Sequence, residues 1–174
     1  VVFKIIFLKN MKIIREKILN AGDKEVVFNL WNIEYPVNLS FATMAEMDSY
    51  LNTLSDLTFY LLKNETNQIE GWAMTFGREQ EKWFAITISQ NVQGQGKGTY
   101  LLDRLKSEND LLNGWVIDHE NYYKSDGQKY KSPLLFYKKN DFQIFPEYRL
   151  DIPILSAIKI SWYKNKNTGG PKFE

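Results

Sequence analysis

Seven residues near the middle of the chain, Gln93-Gly94-Gln95-Gly96-Lys97-Gly98-Thr99, bring together the types that can hold a phosphate. Glycines let a backbone turn tightly and approach a ligand closely. The stretch follows an alternating apolar run and opens an amphipathic pattern, so a helix behind it would offer unpaired N–H groups and the positive end of its dipole. Two nucleotide motifs fail on it. A P-loop needs Ser or Thr after Gly96-Lys97, where Gly98 stands, and the dinucleotide fingerprint needs a glycine where Thr99 stands. Two readings stay open: a phosphate-holding turn of another kind, or a glycine-rich connector with no ligand.

The composition narrows the remaining chemistry. Cysteine is absent and His119 is the one histidine. Disulfides, Cys-ligated zinc, iron–sulfur clusters and a cysteine nucleophile are thereby excluded, and a His-based metal site or a Ser-His-Asp triad would rest on His119 alone. We expect no metal. With 22 basic and 21 acidic residues the formal net charge is +1, which gives no global attraction to nucleic acid or to an anionic membrane. Neither is expected as a partner. A hydrophobic fraction of 44% and a charged fraction of 25% suit a folded domain and exclude disorder, collagen and coiled coil. No run of 18 apolar residues spans a membrane, and the simplest compartment is the cytoplasm. Val1–Leu8 is apolar but lacks a basic start and a cleavage site, so residues 1–10 read as an upstream extension rather than a signal peptide.

The elements that must position the glycine turn follow from periodicity. Ile13-Ile14-Arg15 reads as a first strand. Asp23 is expected to cap a helix whose inner face is Val26, Val27, Leu30 and Trp31, closed by Pro36. Thr43 caps a second helix with Met44, Met47, Leu51 and Leu54 inward. The period then changes. Thr58–Leu62, Gly71–Phe76 and Trp83–Ser89 are three strands, joined by the polar turns Asn64–Gln68 and Gly77–Lys82, which predicts an antiparallel meander. After the glycine turn, Leu101, Leu102 and Leu105 mark a helix that Asn113-Gly114 ends. Trp115-Val116-Ile117 is a short buried strand, and 119–131 is a polar loop rich in tyrosine and lysine. Tyr122, Tyr123 and Tyr130 interleave there with Lys124, Lys129 and Lys131. Ser132-Pro133 starts another helix, Phe142–Ile152 and Ala157–Tyr163 are closing strands, and 164–174 is a tail. The fold class is α/β (α+β), one domain over 11–163.

Gln93-x-x-Gly96-x-Gly98, after a strand and opening a helix, resembles the acetyl-CoA pyrophosphate loop of the GNAT superfamily of N-acetyltransferases, (Arg or Gln)-x-x-Gly-x-(Gly or Ala). Ser132-Pro133-Leu134-Leu135-Phe136-Tyr137-Lys138-Lys139-Asn140-Asp141-Phe142 resembles that family's later helix, which commonly ends Phe-Tyr-x-Lys-x-Gly-Phe. Asp141 replaces the usual glycine, and Tyr130 stands where the family often has Asn. The resemblance implies a mostly antiparallel mixed sheet flanked by helices, and acetyl transfer from acetyl-CoA to a primary amine of a small molecule or peptide by direct attack.

By the same resemblance, Ile86 and Ile88 would offer backbone groups to the pantetheine arm and the thioester oxygen. The amides from Gln93 to Thr99 would hold the pyrophosphate, with Lys97 adding charge or standing as a solvated loop lysine. Tyr137 would protonate the departing thiolate. Asp118 and His119, at the end of the strand facing the cleft, are the candidate bases, with an ordered water as substitute. The 119–131 loop would cover the acceptor pocket. A different class remains open: a GNAT-fold module that holds acyl-CoA without turnover, as a sensor or partner subunit. Monomer and homodimer both fit.

Overall fold

A computed structural model describes residues 11–164. The expected extension at 1–10 and the tail beyond Lys164 lie outside the described residues.

Seven strands form one sheet in the order β1-β2-β3-β4-β5-β7-β6. They are β1 (Lys12–Glu16), β2 (Ser55–Lys63), β3 (Ile69–Arg78), β4 (Glu81–Ile88), β5 (Leu111–Val116), β6 (Gln143–Ile152) and β7 (Leu155–Tyr163). Every neighbouring pair is antiparallel except β4 and β5, which run parallel and meet at the single pair Trp83↔Asn113. Four helices cover the sheet: α1 (Ala21–Glu34), α2 (Met44–Leu51), α3 (Lys97–Glu108) and α4 (Leu134–Lys139). Among the described residues, no helix is long and apolar enough to cross a membrane.

Both faces of the sheet are buried, which explains the near-continuous apolar runs of β2 and β3. Along β2, Phe59 and Leu61 turn to a core with Val27 and Trp31 of α1 and Met47 and Leu51 of α2. Tyr60 and Leu62 turn to the other face, against Leu101, Leu102 and Leu105 of α3 and Tyr137 of α4. The alternation expected on β4 holds. Phe84, Ile86 and Ile88 belong to the α3 side, Trp83 and Ala85 to the α1 side.

Five local expectations are corrected. Asn20, not Asp23, caps α1: its Oδ1 accepts from the Asp23 N–H at 2.9 Å, and its Nδ2 donates to the Asp23 carboxylate. Asp23 sits three residues in, the reciprocal position of a capping box, and pairs with Lys63. On the same helix Val26 faces solvent, because the stripe that packs is Val27, Trp31 and Glu34. The β3–β4 turn is only Glu79-Gln80, both at positive φ (51° and 64°), as a two-residue hairpin requires. Asn113-Gly114 lies inside β5 rather than ending a helix. Asn113 is fully buried and satisfied by Ser161 and Glu81, and a Cβ on Gly114 would meet the Phe84 ring at 3.0 Å. Pro133, expected inside the fourth helix, stands just before it, and the Ser132 hydroxyl donates to the Ile117 carbonyl.

Candidate functional site

Past Trp83 and Asn113, β4 and β5 diverge, so β4 has an open edge. The carbonyls of Ile86 and Ile88 are met by side chains there. Tyr35 Oη donates to Ile86 O at 3.3 Å, and Gln93 Nε2 donates to Ile88 O at 2.9 Å. In an antiparallel strand the N–H and C=O of one residue point the same way, so the N–H groups of Ile86 and Ile88 share that edge.

The glycine turn follows directly. Gly94 and Gly96 hold φ of 76° and 81°, the left-handed region where a side chain is strained. Gly96 is the cap residue of α3 and brings no side-chain cap. Among the described residues, no acceptor takes the N–H groups from Gly94 to Thr99, so the opening of α3 presents a row of free donors. Gly98 allows the helix to approach α4: a Cβ there would stand 3.2 Å from the Phe136 ring.

Lys97 fits neither expectation for it. It is 6% exposed, and its ammonium is paired with the Glu70 carboxylate, which also receives Asn64 Nδ2 at 3.1 Å. Its charge is committed to a carboxylate on β3, and it is not a solvated loop lysine.

Tyr137 is 7% exposed and ringed by Phe84, Phe136 and Phe142 at centroid distances of 5.9, 5.2 and 5.4 Å. Burial pushes its hydroxyl well above the ordinary tyrosine range, and the proximity of Tyr35 and Tyr130 adds to the rise. Tyr35 is pushed up to about 12, chiefly by burial. Tyr130 is raised by burial, with Tyr35 and Glu34 contributing. Three protonated phenols therefore share the region beside the open edge of β4.

Solved structures of similar architecture share this arrangement of elements. A phosphinothricin acetyltransferase from Sinorhizobium meliloti, in complex with AcCoA, has a TM-score of 0.62 at 12% identity, covering 92% of each chain. A spermidine N-acetyltransferase from Vibrio cholerae, with CoA and spermine, has 0.63 at 12%, covering 89% of this chain and 96% of that one. A ribosomal-protein-alanine N-acetyltransferase from Brucella melitensis has 0.60 at 13%, covering 88% and 99%. No protein-family model and no curated protein sequence matches the chain. The chain has the GNAT fold.

Within the GNAT fold the two candidate bases fare differently from Tyr137. Asp118 is corrected: the Arg149 guanidinium grips both its oxygens, at 3.1 and 2.7 Å, and holds its carboxyl below the usual carboxylate range. A carboxylate so paired is a poor proton acceptor. His119 Nδ1 accepts from the Asn121 N–H at 3.3 Å, so that lone pair is engaged and Nε2 carries the hydrogen of the neutral ring, which meets the Tyr122 ring at 4.8 Å. Among the described residues, neither forms a hydrogen bond, ion pair or ring contact with Tyr137.

Sequence reasoning missed Glu34 and Tyr35. Glu34 is 9% exposed; its Oε1 accepts from the Gln90 N–H and its Oε2 from Lys124 Nζ, both at 2.8 Å. The signal was present: Glu34 continues the Val27, Trp31 stripe at helical spacing, a carboxylate where an apolar residue belongs. Tyr130 stands in the sequence both as a departure from a motif and among the loop tyrosines, and neither pattern places it with other phenols. The structure brings it toward Tyr35 and Tyr137.

Proposed function

We propose that the chain is an acetyl-CoA-dependent N-acetyltransferase acting on a primary amine of a small molecule or peptide, in a single domain over 11–163. The observation that carries this reading is the open edge of β4 running straight into the unpaired amides of Gly94 to Thr99. A row of such donors at a helix start suits a pyrophosphate. Two of the reported neighbours are complexes with AcCoA or CoA, and one of these, a spermidine N-acetyltransferase, also holds spermine, which supports the same assignment.

Acetyl-CoA supplies an acetyl thioester open to attack by an amine. The N–H groups of Ile86 and Ile88 orient the arm, and one of them stabilises charge developing on the thioester oxygen. Gln93 to Thr99 hold the phosphates through backbone, with the charge of Lys97 committed to Glu70. Direct attack needs the amine neutral, and a lysine-like amine ionises at about 10.4, so a base must take its proton. An ordered water takes that part, or His119 through Nδ1 once it parts from the Asn121 N–H, since Asp118 is tied to Arg149. Burial keeps Tyr137 protonated at neutral pH. Its O–H is thus available to the departing sulfur, whose anion, if it resembles a cysteine thiolate, has a conjugate-acid pKa of about 8.5. Donation is uphill on those values, so Tyr137 acts first as a hydrogen-bond donor to the growing negative charge.

Release of free thiol from acetyl-CoA across a panel of amines tests the proposal; no acceptor-dependent release from any amine, with acetyl-CoA still bound, overturns the enzyme reading. That outcome would favour the alternative module that holds acyl-CoA without turnover, a reading to which the tied Asp118 lends support.

A further inference from the structure

Glu34 does more than fill a helix stripe. Its two oxygens serve two segments that are far apart in the chain: Gln90, just after β4 where the cofactor loop begins, and Lys124, in the middle of 119–131. Lys124 Nζ also reaches Gln90 Oε1 at 3.1 Å, so the three residues form a closed junction. The 119–131 loop is a small self-bonded unit. Lys124 N–H donates to Gln128 O, Tyr130 N–H to Tyr122 O, and Tyr123 bridges Lys129. It hangs from the end of α1 by the Glu34–Lys124 pair and by the Val37 N–H to Tyr123 O bond at 2.8 Å. A buried carboxylate that loses one partner is left with uncompensated charge. Gln90 and Lys124 therefore move together or not at all.

Resting on the acetyl-CoA reading, we propose that Glu34 is a positioning residue that ties the acceptor-side loop to the root of the cofactor loop, so that filling the cofactor site tightens 119–131. Coupling of this kind is reciprocal: what holds the loop also favours the ligand. Neither partner of the pair touches the reacting atoms; they set where the loop lies when the amine arrives.

Limited trypsin digestion of the full chain, with and without acetyl-CoA, reads the coupling. Lys129 and Lys131 are exposed cleavage sites in the loop, and Arg104, within α3, reports general unfolding. In the wild type, acetyl-CoA is expected to slow cleavage after Lys129 and Lys131. In Glu34→Gln and in Lys124→Gln that protection should shrink on the order of tenfold, with acetyl-CoA still bound in calorimetry, weaker by no more than a comparable factor. The double variant should lose no more than either single one, because both remove the same junction. Equal protection in wild type and variants would overturn the proposal, as would cleavage after Arg104 that rises in step with the loop sites. If the wild type binds no acetyl-CoA, the functional reading fails by itself. The junction is then judged by ligand-free cleavage at Lys129 and Lys131, which must be faster in both variants for the tie to stand.

Discussion

Removing the charge of Lys97 is expected to act on stability before it acts on ligand binding. The ammonium is buried against Glu70, and taking away one member of such a pair typically costs about 3–5 kcal/mol. Lys97→Met should therefore lower the denaturation midpoint strongly, and adding Glu70→Gln should recover most of the loss; a midpoint unmoved by the single change would refute the buried pair. Binding rests instead on backbone. Gly96→Val puts a branched side chain at a φ of 81° and across the free amides, so acetyl-CoA binding should largely vanish in calorimetry, whereas Lys97→Ala should weaken it at most about tenfold, ~1.4 kcal/mol. Tyr137→Phe keeps the ring among Phe84, Phe136 and Phe142 and removes only the O–H. Acetyl-CoA affinity and stability should hold while kcat falls, by roughly 10²–10⁴ if the full proton-donor contribution is lost. Unchanged turnover, measured where chemistry limits the rate, would remove Tyr137 from the reaction.

Elements show where local pattern suffices. The start of α1 is a reciprocal cap between Asn20 and Asp23, and Asn20→Ala should cost about 1 kcal/mol in urea denaturation. Asp23→Ala should cost more than that. It keeps the backbone N–H that Asn20 caps, but it removes the carboxylate that Asn20 Nδ2 donates to and leaves Lys63, a buried lysine on β2, without its partner. A loss no larger than that of Asn20→Ala would contradict a strongly stabilising Lys63 pair. The second helix follows the same chemistry, with Thr43 accepting from the Glu46 N–H as its spacing predicts. The fourth helix departs from its expected start by one position; the Ser132 hydroxyl accepts from the Leu134 N–H at 3.3 Å and donates to Ile117 O, which closes the base of the 119–131 loop.

At the scale of the whole molecule, the buried phenols make the protein sensitive to alkali. Tyr35, Tyr130 and Tyr137 all have folded-state values raised above the unfolded value of about 10. A raised value means that the folded state favours the protonated form. The stability linked to these groups is fully present below pH 10 and is lost as pH rises through the folded values, which for Tyr35 is about 12. Tyrosinate absorbance from these three should then appear together with the loss of helical circular dichroism, not before it. Ionisation of all tyrosines near pH 10 with the fold intact would contradict the burial of this group.

The chain's own pattern determined the order of strands and helices and the glycine turn before a helix, because each is a short-range matter of periodicity and backbone freedom; the part given to Tyr137 comes instead from the resemblance of its motif. Asn113-Gly114 misled for a physical reason: a turn-like pair can lie in a strand when a ring presses on the glycine and buried partners satisfy the amide. What only the tertiary structure decided is which charges meet. Lys97 faces Glu70, Asp118 faces Arg149, and Glu34 faces Lys124 across 90 positions of sequence. No local period encodes such pairings, since they depend on how layers stack and on which carboxylates the stacking removes from water. The parting of β4 and β5, which opens the edge beside the free amides, is of the same kind. It follows from the crossover through α3 and from the packing of both faces, and no residue of either strand specifies it alone.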